Sequence, residues 1–243
     1  MNVLLNKETE VIDLGLIDYQ QAWDFQTLLF NEIIAVKKEN RERSEHEQRA
    51  TKNYLVFCEH PHVFTLGKSG VEKNLLIKKE ALSTIQAGYY PINRGGDITY
   101  HGPGQIVVYP VIDLENFFTD IHRYMRLLEE AVILTLKKFS IAGERIQGLT
   151  GVWLDLTNEK ASRKICAFGV KTSRWVTMHG LALNVNTNLH YFDYIVPCGL
   201  VDKAVTSMEK ELDGLQDMTA VKAILKKNLI TVFGMELLAI GKV

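Results

Sequence analysis

The chain has 243 residues, 47% of them hydrophobic and 23% charged, with 28 Lys and Arg against 29 Asp and Glu for a net charge of −1. That composition excludes a disordered or low-complexity chain. It also argues against a protein that coats nucleic acid or an anionic membrane, which would carry a basic excess. The length suits one domain with a sizeable core, and residues 1–243 are read as a single domain. A C-terminal subdomain beginning near Asp202 is the alternative, but no linker composition marks it.

No apolar run approaches the roughly twenty residues of a membrane span. The opening MNVLLNKETEVIDLG has early acids and no basic segment, so no signal peptide is expected. Cys58, Cys166 and Cys198 are odd in number and far apart, without a C-x-x-C. This is neither a disulfide framework nor a zinc ribbon, and a reducing cytoplasm is expected.

Taken in chain order, Asp18 to Val36 has apolar residues at helical spacing, from Tyr19 and Ala22 to Phe30 and Ile33. The mixed-charge stretch 37–52 that follows has no apolar anchor. It reads as a solvated helix end and a mobile loop, with a docking surface for an acidic partner as the sharper alternative. Tyr54–Cys58 is a buried strand and Val63–Leu66 a shorter one ending at Gly67. Residues 77–87 look helical up to Gly88. Pro91 to Asp113 contains strands broken by glycine and proline. Thr119 or Asp120 can cap a helix running to Phe139, with Tyr124, Leu128, Val132 and Leu136 inward. Three strand-like runs fill 150–185, and Asp217 to Phe233 is a helix closed by Gly234. Strands come in clusters with helices between the clusters. The expected class is α+β, a mixed and largely antiparallel sheet flanked by helices.

Four segments carry chemistry. Arg94-Gly95-Gly96-Asp97-Ile98-Thr99-Tyr100-His101, continuing Gly-Pro-Gly-Gln105, sets four glycines among polar side chains. Glycine lets backbone approach a ligand closely, so such a loop can offer N–H groups to an oxygen. It matches no phosphate-loop pattern. A tight hairpin with a merely packed histidine is the bland alternative. Lys164 precedes the apolar run Ala167-Phe168-Gly169. A lysine there is ordinarily a solvated strand end, but in a pocket it can stabilise a thiolate and relay protons. His179-Gly180-Leu181-Ala182 places a glycine inside a strand pattern, which suggests a bulge or a ligand. His179 itself reads as a core histidine. Cys198, between Pro197 and Gly199, sits on bent backbone, whereas Cys58 and Cys166 fall in apolar strands and read as inert. The pair His60 and His62 lacks further ligands, and no metal site is expected.

Together these segments resemble the lipoyl(octanoyl) transferases, or octanoyl-ACP:protein N-octanoyltransferases. The resemblance runs through EHPHVFTLG, RGGDITYHGPGQIVVYPVIDL, RKICAFGV, HGLALNV, the Ile195-Val-Pro-Cys-Gly segment and Ala204-Val-Thr-Ser-Met208, in order, over most of the chain. It departs at His62, where relatives often have proline, at Cys166, where alanine or glycine is common, and in the longer 37–52 stretch. The resemblance implies a biotin/lipoate protein ligase-like fold and transfer of octanoyl from octanoyl-acyl carrier protein to a lysine of a lipoyl domain. The acceptors would be lipoyl domains of 2-oxoacid dehydrogenase complexes and the glycine cleavage H protein. The family's thioester-forming cysteine falls on Cys198 and its catalytic lysine on Lys164. Its acyl-binding segments fall on Arg94 to His101, Ala167 to Gly169 and Gly180 to Ala182. A monomer without cofactor, metal, nucleic acid or membrane is implied.

The residue types suit that reaction. A free cysteine is only about 3% thiolate at pH 7, and an adjacent cation raises that fraction. The lysine can then take a proton as the amine attacks. Backbone N–H groups near Cys198, with the Gly95–Gly96 turn, are candidate oxyanion donors. An eight-carbon tail at about 0.8 kcal/mol per buried methylene contributes several kcal/mol before ordering costs. Four alternatives stay open at this level: an ATP-dependent ligase, an amidotransferase between carrier domains, a non-catalytic acyl-binding module, and a Cys-His hydrolase, for which no third orienting residue is visible in the sequence.

Overall fold

The computed structural model describes residues 5–157, 162–196 and 204–238. Strands β1 (Glu8–Leu16), β2 (Asn53–Glu59), β6 (Gln105–Val111), β7 (Val152–Leu154), β8 (Arg163–Ser173), β9 (Val176–Asn184), β10 (Ala204–Val205) and β11 (Glu236–Leu237) form the main sheet. Its order is β10-β8-β9-β6-β2-β1-β11, with β7 also on β8. The β2-β6, β6-β9, β7-β8 and β8-β9 pairs are antiparallel, and β1-β2, β1-β11 and β10-β8 are parallel. A second sheet joins β4 (Gly88–Pro91), β3 (Val63–Leu66) and β5 (Ile98–His101). This is the mixed α+β arrangement expected from the clustering of strands.

Alternation along the inner strands explains the layers. On β2, Leu55 and Phe57 face one core while Tyr54, Val56 and Cys58 face another. On β6, Ile106 and Val108 take the first side and Val107, Tyr109 and Val111 the second. The first face is covered by α2 (Ile121–Lys138) and, after the short helix α3 (Met208–Leu212), by α4 (Met218–Phe233), through Tyr124, Leu128 and Val132 and through Val221, Leu225 and Leu229. The second is covered by α1 (Tyr19–Asn40), through Ala22, Leu29, Phe30 and Ile33. Both faces of β2, β6 and β9 are thus buried, which is why these segments are mainly apolar without strict alternation. Helix α4 shares its core with α2, through Val221, Leu225, Leu229 and Phe233.

Helix ends follow the capping residues. Asp18, Asp120 and Asp217 each accept hydrogen bonds from first-turn N–H groups, and Gly234 closes α4 at φ 64°. The segment 77–87 is not an α-helix. Lys79–Ile85 is a 3₁₀ helix that ends at Gln86 in the left-handed region (φ 54°), and Gly88 begins β4 instead of capping. Only Leu82 of this segment is buried, so little packing supports a regular α-helix there. Helix α1 runs past Val36, and Lys37 at its C-terminal turn reaches the buried Asp113 at 2.5 Å and Glu115 at 2.7 Å. This lysine, the first residue of the charged stretch, is therefore held against the sheet and not solvated. Beyond it Arg43 and Arg49 share Glu39, and Asn40 donates to the Arg49 carbonyl at 2.7 Å.

Candidate functional site

The floor of the site is the register of two inner strands. Across β8 and β9, Ala167 opposes Ala182, Phe168 opposes Leu181, Gly169 opposes Gly180 and Val170 opposes His179. The turn after β4 is laid against this floor where the Gly95 N–H donates to the Val170 carbonyl at 2.9 Å. The Gly95 N–H is thereby committed, which removes it from the oxyanion donors expected of the Gly95–Gly96 turn. Arg94 is buried beside the turn. Its guanidinium donates to the Thr65 carbonyl at 2.8 Å, to Thr65 Oγ1 at 3.0 Å and to the Gly95 carbonyl at 3.0 Å. Glycines permit the approach. A methyl group on Gly169 would lie 2.8 Å from Arg94 Cδ, and one on Gly180 would lie 2.2 Å from the Val108 carbonyl.

These elements enclose a cavity of about 410 Å³. Of the residues expected to bind substrate, Arg94, Gly95, Gly96, Asp97, Ile98, Thr99, His101, Ala167, Phe168, Gly169, Gly180, Leu181 and Ala182 all line it, as does Lys164. Tyr100 stands apart. Its ring stacks on Tyr191 at 4.9 Å and its hydroxyl lies 2.7 Å from His62 Nδ1. Cys198 falls outside the described residues. The strand that follows it is described: Ala204 pairs with Arg163 and Val205 with Lys164, and the Thr206 N–H donates to the Lys164 carbonyl at 2.9 Å.

Lys164 lies between β7 and β10, opposite Trp153 on β7. Its Nζ is 4.5 Å from the centre of the Trp153 ring, which stabilises the ammonium through the ring's negative face. Thr150, Leu149 and Gly148 continue this wall. The wall is anchored from below by Glu129 of α2, whose carboxylate is fully buried. It accepts the Gly151 N–H at 3.1 Å and is paired with Arg145 at 3.1 Å and Arg126 at 2.9 Å.

Sequence reasoning missed Trp153, Met125, Tyr19 and the 148–150 wall, all of which line the cavity. Gly148 and Gly151 are the only local signals there. His179, read as a core histidine, is buried but also lines the cavity, at φ 59°. Its N–H donates to Gln26 Oε1 at 3.0 Å and its Nε2 lies 3.1 Å from Asn93 Oδ1. Burial, with Arg94 and Lys171 adding, pushes its pKa down to about 3, so the ring is neutral. Cys58 and Cys166 are buried free thiols, and desolvation raises both well above the ordinary range. Neither lines the cavity. His60 and His62 are drawn to separate partners, Tyr109 and Tyr100. Among the described residues no three His, Cys, Asp or Glu side chains gather as metal ligands, and no helix is long and apolar enough to cross a membrane.

Residues 18–230 match the family model of the lipoyl protein ligase A/B catalytic domain. An octanoyltransferase of Cytophaga hutchinsonii is 62% identical over 228 residues, covering 94% of this chain and 93% of the relative. One from Christiangramia forsetii is 60% identical over 208 residues, covering 86% and 88%. Among solved structures, the bipartite lipoate protein ligase of Thermoplasma acidophilum superposes with a TM-score of 0.68 at 15% identity, over 96% of this chain and 86% of that one. That likeness speaks for the fold alone. With most of the chain matched on both sides, the protein belongs to the octanoyltransferase family of acyltransferases, within the lipoyl protein ligase A/B catalytic domain family.

Proposed function

We propose that the protein transfers an octanoyl group from octanoyl-acyl carrier protein to the lysine of a lipoyl domain through a thioester on Cys198, as a cytoplasmic enzyme in protein lipoylation. The observation that carries this reading is the position of Lys164. Its side chain lines the same cavity as Ala167–Gly169 and Gly180–Ala182, and its strand neighbour Val205 follows Cys198 by only seven residues.

The chemistry proceeds in two exchanges. The Cys198 thiolate attacks the donor thioester carbonyl, the carbon–sulfur bond to the carrier breaks, and the carrier thiolate takes a proton. The lysine amine of the acceptor domain then attacks the acyl-enzyme. Its nitrogen bonds to the carbonyl carbon, the bond to Cys198 breaks, and the proton lost by nitrogen returns to sulfur. Lys164 supplies the cation that favours the thiolate and relays that proton. The apolar floor binds the acyl tail, and the amide product is more stable than the thioester, so no nucleotide is consumed. Acceptor domains from 2-oxoacid dehydrogenase complexes and the glycine cleavage H protein carry the required lysine, and the enzyme acts as a monomer.

The test is to incubate the protein with octanoyl-acyl carrier protein without ATP, quench in acid and map the adduct by mass spectrometry. The adduct is expected on Cys198, absent in Cys198→Ala and slowed in Lys164→Met. An adduct on Cys58 or Cys166, or full turnover by Cys198→Ala, overturns the proposal.

A further inference from the structure

A line of buried polar groups leads away from the cavity wall. His101 Nδ1 lies 2.7 Å from Gln105 Oε1, Gln105 Nε2 donates to Asn184 Oδ1 at 2.8 Å, and Asn184 Nδ2 donates to the Thr206 carbonyl at 3.0 Å. All four residues are buried. The direction of each bond follows from its far end. A backbone carbonyl only accepts, so Asn184 turns its nitrogen to Thr206 and its oxygen to Gln105. An amide oxygen only accepts, so Gln105 turns its nitrogen to Asn184. The Tyr100 carbonyl, 3.3 Å from that same nitrogen, fixes Gln105 a second time. Gln105 therefore offers His101 an oxygen, and the hydrogen of the ring sits on Nδ1. The other ring nitrogen, Nε2, carries a lone pair.

The ring is also kept neutral. It stacks on Tyr19 at 6.1 Å and meets the edge of His60 at 5.9 Å. Burial, with His60, Arg94 and His179 nearby, pushes its pKa down to about 3, against a smaller opposing effect of Gln105. So weak a base does not take a proton from a thiol or an ammonium near pH 7. It can accept a hydrogen bond without becoming charged.

We propose that Gln105 and Asn184 are positioning residues that hold His101 as a standing hydrogen-bond acceptor at the cavity wall, and that His101 Nε2 receives an N–H of the incoming lysine amine. The proposal rests on the reading that an amine attacks an acyl group in this cavity. An amine must aim its lone pair at the carbonyl carbon, and one N–H held by Nε2 fixes that orientation. His101 takes no proton in the step; the proton lost by nitrogen passes to sulfur as described above. The same line ends on the backbone of the strand that carries the cation, because Thr206 donates its N–H to the Lys164 main-chain carbonyl. Acceptor nitrogen and ammonium are thus tied to one frame.

Two measurements test this. In the full chain carrying ¹⁵N-histidine, the His101 nitrogens are expected to show Nδ1–H and an unprotonated Nε2 from pH 5 to 8, and Gln105→Glu is expected to introduce a titrating imidazolium. A hydrogen on Nε2 at pH 7 in the unmodified protein overturns the assignment. In single-turnover transfer, His101→Leu is expected to slow amine attack on the preloaded enzyme at least tenfold more than it slows acylation. His101→Gln, whose Oε1 replaces Nε2, is expected to recover most of the loss. Equal slowing of both halves, or no recovery by glutamine in a folded variant, refutes the role. If no acyl-enzyme forms at all, the thioester route fails separately; the nitrogen spectrum and the overall transfer rates of the same variants still decide the role of His101.

Discussion

The Lys164 ammonium is 4.5 Å from the centre of the Trp153 ring, and the two residues are also register partners across β7 and β8. Position along the strands and stabilisation of the charge are therefore set by the same neighbour. A contact of this kind is worth about 0.5–1 kcal/mol. Trp153→Leu is expected to slow acylation by about two- to fivefold in single-turnover assays, with Trp153→Phe nearer the unmodified rate. Equal rates in all three would mean that the ring does not steady the cation.

Glu129 ties α2 to the cavity wall through Gly151. Its arginine partners are partly exposed and can be resolvated when it is removed, which limits the loss. Glu129→Gln is expected to cost about 2 kcal/mol in denaturant unfolding. It is also expected to raise KM for the acyl donor more than it lowers kcat. Unchanged stability would show that the carboxylate is not an anchor.

Two cavity histidines make stability depend on pH. His101 and His179 are each depressed from 6.5 to about 3 by burial. Between those values the unfolded chain binds protons that the folded one does not, so stability is full above about pH 6.5 and falls as the pH drops towards 3. Each residue contributes roughly 1 kcal/mol per pH unit in that window. Unfolding midpoints at pH 7, 6 and 5 measure the slope. Asparagine tolerates the positive φ of His179, so His179→Asn is expected to flatten the slope without abolishing folding.

Gly169→Ala would place its methyl group 2.8 Å from Arg94 Cδ and 3.1 Å from the Gly95 carbonyl. The guanidinium and the turn must then move apart. Transfer is expected to fall more than tenfold while the melting temperature drops by only a few degrees. Gly214→Ala, with no atom within 4 Å of the added carbon, serves as the control and is expected to change neither.

Much of the frame is legible in the residues themselves. The apolar run of β2, the caps Asp120 and Asp217 and the closing Gly234 each act locally, through pattern or backbone geometry. The strand β1 is not legible, since only Thr9 of its nine residues is buried and its partners lie at 53–59 and 236–237. The glycine-rich segments announce the cavity because close approach needs them. Trp153 and Glu129 do not announce themselves: one enters by register with Lys164, and the other occupies a helix position that reads as solvated until the 148–151 wall folds over it. Gln105, whose Oε1 lies 2.7 Å from His101 Nδ1, does not announce itself either. It stands four residues away, and only the turn at Gly102–Gly104 brings the two side chains together.

The cavity floor is made of interior strands, and the residues that would cradle an acyl tail also hold the sheet together. Gly180 sits under the Val108 carbonyl, and Ala167 opposes Ala182 inside the ladder. Enlarging or reshaping that floor endangers the fold before it alters selectivity. An engineer seeking a different tail length would do better to vary positions 148–150, which border the cavity without belonging to any strand.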